Sequence, residues 1–166
     1  MLNSTSGIRS RATIAGHPIH PMLVPFPIAF LVGVLACDLV FWGNRDPFWA
    51  RAAFWLVSAG LATAALAAIF GLVDFLLIRA VRAIGAAWIH LALNVSLVLL
   101  TAWNLLHRIG DPVAAVLPLG LILSAAVTLL LLASGWYGGE LAYRFKVGSI
   151  DGASGDDPRH AMPHAG

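Results

Sequence analysis

Four runs of predominantly apolar residues, at about 22–42, 53–78, 84–106 and 113–137, divide the chain, with only short polar connections between them. A helix needs about 20 residues to cross a hydrocarbon core of about 30 Å, and each run is long enough. The pattern predicts an all-α polytopic membrane protein, an antiparallel four-helix transmembrane bundle with short loops. Residues 1–15 are small and polar without periodicity and predict a mobile arm, while residues 147–166 have almost no large apolar groups and predict a disordered tail. The membrane domain then occupies residues 16–146.

Local signals mark the ends of the spans. Pro25 and Pro27 fall in the opening turn of the first, where a missing amide hydrogen costs no helical bond, so regular helix is expected after Pro27. The segment from Gly43 to Arg51 reads as a connection, and Trp42, Trp49 and Trp55 bracket the level of an interfacial aromatic belt. Arg79 and Arg82 mark a tight turn between the second and third spans, and the third ends at His107, Arg108 and the turn Gly110-Asp111-Pro112.

At about 100° per residue, Gly60, Ala64, Ala67, Gly71 and Asp74 share one stripe of the second span. His90, Asn94, Thr101 and Asn104 share one on the third, and Gly120, Ser124, Thr128, Gly135 and Gly138 one on the fourth. In a membrane such faces meet one another, because small residues allow close backbone approach and polar groups need partners away from lipid.

Composition agrees: 60% of residues are hydrophobic and 11% charged, with a mean hydropathy of +0.86. The net charge of +2 comes from basic residues placed singly or in pairs beside span ends, which is a topology signal and not a nucleic-acid patch. Four spans put both termini on one side. Seven basic residues (Arg9, Arg11, Arg79, Arg82, Arg144, Lys146, Arg159) fall there, against Arg45, Arg51 and Arg108 opposite, so both termini are expected in the cytoplasm, the protein lying in an inner membrane. The segment after Arg9 and Arg11 lacks the pattern of a cleavable signal, so the first span is expected to be retained. The lone Cys37 lies within the first span and reads as packing.

This topology gathers His17, His20, Asp74, His90 and Glu140 toward the cytoplasmic half, with Asn94 one turn deeper than His90. Ionisable groups inside a membrane are functional candidates. His20 and His90 are the candidate axial ligands of a haem b, with Trp88 and Trp136 placed to line a flat cofactor. His17, His20, Asp74, His90 and Glu140 form a candidate set for zinc, copper or iron, and Asn94, Thr101, Asn104 and Trp136 extend the polar cluster. Structural readings stand beside these. His17 and His20 also suit the start of the first span, Asp74 suits pairing with Arg79, Arg82 or an amide, and Asp38 suits pairing with Arg45 or Arg51. A small-solute or proton permease and a purely structural accessory subunit are the alternative functions. The sequence has no nucleophile elbow, HExxH, phosphate-cradling glycine loop or zinc cysteine pair, so nothing points to hydrolysis, and His160 and His164 read as solvated.

The motifs GHPIHPMLVPFPIAF from Gly16, GLVDF around Asp74, HLALN from His90 and SGWYGGELAYRFKVG near the end, in this order, resemble the bacterial membrane family called domain of unknown function 2231. The resemblance spans about residues 16–148 and implies a four-span membrane protein without an established activity. It also implies a tie to electron transfer, since some relatives are joined to Rieske-type iron-sulfur domains. His17, His20, Asp74, His90, Trp136, Gly139 and Glu140 match the family's pattern; Phe145 and Lys146 depart from it, standing where similar sequences often read His-Gly, which removes one potential ligand.

Overall fold

The computed structural model describes residues 7–148; the predicted tail, with His160 and His164, lies outside the described residues except for its first two positions. Four helical segments are long and apolar enough to cross a membrane, Ile19–Asn44, Pro47–Leu77, Gly85–Arg108 and Val116–Arg144.

The first segment is a short α1 (Ile19–Leu23) running at Val24 into α2 (Pro25–Asn44), so helix begins before Pro25 and not after Pro27. Arg45 ends α2 in the left-handed conformation (φ 60°). Asp46 then caps α3 (Pro47–Leu77) by accepting from the Phe48 amide at 2.9 Å, with Pro47 in the first turn. Asp-Pro is a strong start signal, and it begins this helix six residues before the expected Ala53. Beyond α3 the chain is extended at Ile78 and makes one turn, α4 (Arg79–Arg82). The Arg82 guanidinium donates back to the Phe75 and Leu76 carbonyls, covering acceptors that the helix end leaves open.

The third span, α5, covers Gly85–Arg108. The fourth begins later than the apolar run suggests: Leu117 is extended (φ −117°, ψ 135°), and α6 proper runs Leu121–Gly139 before a final wider turn, Glu140–Arg144. Pro118 explains the delay, since a residue before proline is disfavoured in the helical region and proline offers no amide hydrogen.

Both sequential pairs run antiparallel. Gly33 meets Leu56 and Gly60 meets Leu31 between α2 and α3, while Asn104 meets Ser124 and Asn94 meets Ser134 between α5 and α6. Helix α2 also packs on α6, and α3 on α5, which leaves α2 and α5 on a diagonal. Leu31, Val34, Cys37, Val57, Leu97 and Val127 fill the centre, and exposed Trp55, Trp103, Leu99 and Leu129 form an apolar exterior suited to lipid.

The N-terminal arm is the clearest departure from the sequence reading, because from Gly7 onward it is folded against the bundle. Strands β1 (Thr13–Ile14) and β2 (His17–Pro18) pair antiparallel across Ala15 and Gly16, both at positive φ (48° and 81°) as a tight hairpin turn requires. Asp74 anchors this arm, accepting from Ser10 Oγ at 2.5 Å, Arg11 N at 2.7 Å and Ala12 N at 3.1 Å. Its partners are therefore backbone amides and a hydroxyl, not Arg79 or Arg82. Ile8 bonds to Lys146 and Gly148, tying the two ends of the domain together. Asp74→Ala is expected to release the arm: the Arg11 and Ala12 amides should exchange hydrogen faster and trypsin should cut at Arg9 and Arg11. Unchanged protection would mean that other contacts hold the arm.

Candidate functional site

Two histidines from different helices meet inside the end of the bundle that carries the arm. His20 on α1 lies against α3 with Nδ1 2.8 Å from the Ala67 carbonyl oxygen, and His90 on α5 lies against α6 with Nδ1 3.0 Å from the Ser134 carbonyl oxygen. A carbonyl only accepts, so both Nδ1 atoms carry hydrogen and the lone pair of each neutral ring resides on Nε2. Neither Nε2 makes a hydrogen bond among the described residues.

Both rings use the same local device. A helical carbonyl points toward residue i+4, so a side chain there obstructs lateral access; Gly71 follows Ala67 and Gly138 follows Ser134 at that spacing. A Cβ at Gly71 would stand 2.9 Å from His20 Nδ1, and one at Gly138 would stand 3.1 Å from His90 Cε1. The small stripes of α3 and α6 thus act as berths for imidazoles as well as packing surfaces. Asn94 fixes the second berth, donating to the His90 carbonyl at 2.7 Å and to Ser134 Oγ at 2.8 Å. The two ring centres are 6.3 Å apart with planes at 86°.

The other candidates do not join this pair. His17 is exposed in β2 with its Nδ1 3.0 Å from the Ala15 carbonyl, Asp74 is committed to the arm, and Glu140 pairs with Arg144 one turn on at 3.1 Å. No group of three or more His, Cys, Asp or Glu able to hold a metal ion occurs among the described residues, so the five-residue metal set is not assembled. Trp136 is 74% exposed on the outside of α6, and Trp88 stacks edge-on with Phe75 at 4.7 Å and donates to the Arg82 carbonyl. Both therefore work at the boundary of the bundle and do not line a space between the histidines. Thr101 and Asn104 lie further along α5, toward its opposite end.

That opposite end holds a second polar cluster which the sequence reading missed. Asp38 pairs with Arg108, not with Arg45 or Arg51, in a two-pronged contact at 2.9 and 2.6 Å with both side chains fully buried. Arg45 instead lies over the Phe41 ring, and Arg51 is exposed. Arg108 Nε donates to Asn104 Oδ1 at 2.9 Å, Ser124 Oγ lies 2.6 Å from Asp38 Oδ2, and Asn104 donates to Ser124 Oγ at 3.1 Å. The pair bridges the diagonal from α2 to α5, a distance suited to the long guanidinium side chain. A Cβ at Gly120 would collide with the Ala115 carbonyl oxygen and stand 3.1 Å from Arg108 Nη2, so glycine is required there by the backbone turn as well as by the guanidinium. The available signal was the i, i+4 spacing of Asn104 and Arg108, which extends the polar stripe of α5 to its last residue. Thr101, one turn from Asn104, is fully buried, and its hydroxyl has no hydrogen-bond partner among the described residues.

Four apolar spans with charged and imidazole groups held inside the bundle define a polytopic integral membrane protein. Residues 16–151 match the family described as Predicted membrane protein (DUF2231), and the chain belongs to that family. No curated protein and no solved structure gives a significant match.

Proposed function

We propose that this chain is a redox-associated subunit of the bacterial inner membrane, both termini cytoplasmic, that binds one haem b through His20 and His90. The single observation that carries the reading is the pair of neighbouring imidazoles from two helices, each with Nδ1–H held by a backbone carbonyl. Metal-ligating histidines characteristically donate their other ring nitrogen in this way, which fixes the tautomer and the ring orientation. The two ring centres stand 6.3 Å apart, so His20 and His90 are the residues that would hold the group.

The donor set favours haem over a bare ion. Zinc in a protein site takes three or four protein ligands, whereas haem iron already has four macrocycle nitrogens and needs only axial ligands. Two histidines and no third ligand among the described residues suit the second case. When bound, the group would supply one-electron redox chemistry. The chain would supply His20 and His90 to hold it, each oriented by donating Nδ1–H to a carbonyl, of Ala67 and of Ser134. The electron partner is proposed as an iron-sulfur protein of the Rieske type, on the family resemblance alone.

The test is an absorption spectrum, oxidised and then reduced, of protein purified in mild detergent, with elemental analysis for iron, copper and zinc. One haem per chain is expected, lost in both His20→Ala and His90→Ala while circular dichroism remains helical. A colourless, metal-free and well-folded wild-type preparation would sink this reading.

A further inference from the structure

A cavity of about 630 Å³ opens beside the anchored arm, lined on its polar side by Arg9, Arg11 and Arg79 and on its apolar side by Ile8, Pro18 and Leu77. Three separate segments build it, namely the arm, the junction of α3 with α4, and the chain leaving the bundle at Gly148. Among the described residues the ion pairs are Asp38 with Arg108 and Glu140 with Arg144, so none of the three arginines forms an ion pair with a described carboxylate. The nearest acid in the fold, Asp74, spends its oxygens on Ser10 Oγ and the Arg11 and Ala12 amides. It shapes the wall of the cavity and offsets one of the three positive charges, which leaves Arg9, Arg11, Arg79 and Asp74 together with a net charge of +2.

We infer that this cavity binds the phosphate-bearing headgroup of an anionic phospholipid. Guanidinium groups match phosphate oxygens in charge and in the fork of their donors. The place also matters: Leu77 ends a membrane-spanning helix, and the cavity is much larger than a bare phosphate needs. Basic pockets beside span ends are the usual setting for anionic headgroups. A bound headgroup would touch all three segments and so hold the arm closed over the His20 end of the bundle. This inference does not depend on any cofactor between the histidines.

The test is native mass spectrometry of the full chain in mild detergent, titrated separately with phosphatidylglycerol, phosphatidylcholine and inorganic phosphate. One phosphatidylglycerol per chain is expected to be retained at least about tenfold more tightly than phosphatidylcholine. The triple variant Arg9→Gln/Arg11→Gln/Arg79→Gln should lose that preference, a weakening on the order of tenfold to a hundredfold. Arg144→Gln, a basic residue at the same end but outside the cavity, should keep it. Equal retention by the triple variant, or equal loss in Arg144→Gln, would overturn the proposal, the latter by reducing the effect to general surface charge. Inorganic phosphate binding that phosphatidylglycerol does not displace would overturn the lipid assignment in favour of a soluble anion. Asp151, Asp156 and Asp157 follow Gly148 in the sequence, so the measurement is repeated with all three changed to asparagine. Lipid retained only in that variant would assign the cavity to the chain's own tail.

Discussion

Arg108→Leu is expected to destabilise the bundle by about 3–5 kcal/mol, the cost of leaving one member of a buried ion pair without the other. Asp38 is fully buried, and among the described residues its carboxylate accepts from the guanidinium and the Ser124 hydroxyl alone. Without Arg108 it must either remain charged in an apolar interior or take up a proton. The same magnitude is expected for Asp38→Leu, which strands the guanidinium instead. Changing both together, Asp38→Leu with Arg108→Met, should recover most of the loss, since replacing a whole buried pair with apolar groups of similar size is often neutral or stabilising. Reversible unfolding in mixed detergent micelles measures all three variants against wild type. If the double variant loses as much as the sum of the singles, the two residues act independently and the pair is not the unit of stability.

Gly60→Ala is the second large effect, and it is expected to be unfavourable although alanine is the better helix former. A Cβ there would stand 2.5 Å from Leu31 Cδ2 and 2.9 Å from its Cγ, and Leu31 is itself fixed in the central core. Separating α2 from α3 to relieve that contact costs about 1–3 kcal/mol, whereas the gain in helix propensity is at most about 1 kcal/mol. The control is Gly135→Ala: the periodicity put Gly135 on the inward stripe of the fourth span, but it is exposed on α6, and no atom beyond its own helix backbone lies within 4 Å of the new Cβ. There only the propensity gain remains, so stability should stay level or rise. The same unfolding measurement checks both substitutions, and equal effects would mean that the α2–α3 contact yields without cost.

Legibility differed sharply between parts of the chain. The number of spans and the small or polar stripes of α3, α5 and α6 follow from length and periodicity, because lipid imposes a constraint that each helix must meet by itself. His90 with Asn94 was legible for the same reason, as a polar i, i+4 pair within an apolar run. The partners of these groups were not legible. His20 stands among prolines that permit several orientations, and only the seat formed by Ala67 and Gly71 directs its ring toward His90. Arg108 sits at the end of a run and therefore reads as interfacial. It is buried because Asp38 of α2 and Ser124 of α6 meet it from across the bundle, and Gly120 at the delayed start of α6 leaves room beside its guanidinium. The arm looked featureless because its stability lies in bonds from its amides to one distant carboxylate, Asp74, and hydrophobic periodicity carries no trace of such bonds.

The sequence by itself therefore determined the class of protein, the four crossings, their alternating direction and the faces that turn inward, all of which rest on the cost of exposing polar backbone and side chains to hydrocarbon. Only the tertiary structure decided which inward-facing groups touch. It set Asp38 against Arg108 across the diagonal, His20 against His90 at the other end, and Asp74 under the arm. Those pairings depend on helix register, on glycines that admit a ring or a guanidinium, and on the reach of long side chains. None of these is a property of one helix alone, so they appear only when the helices are assembled.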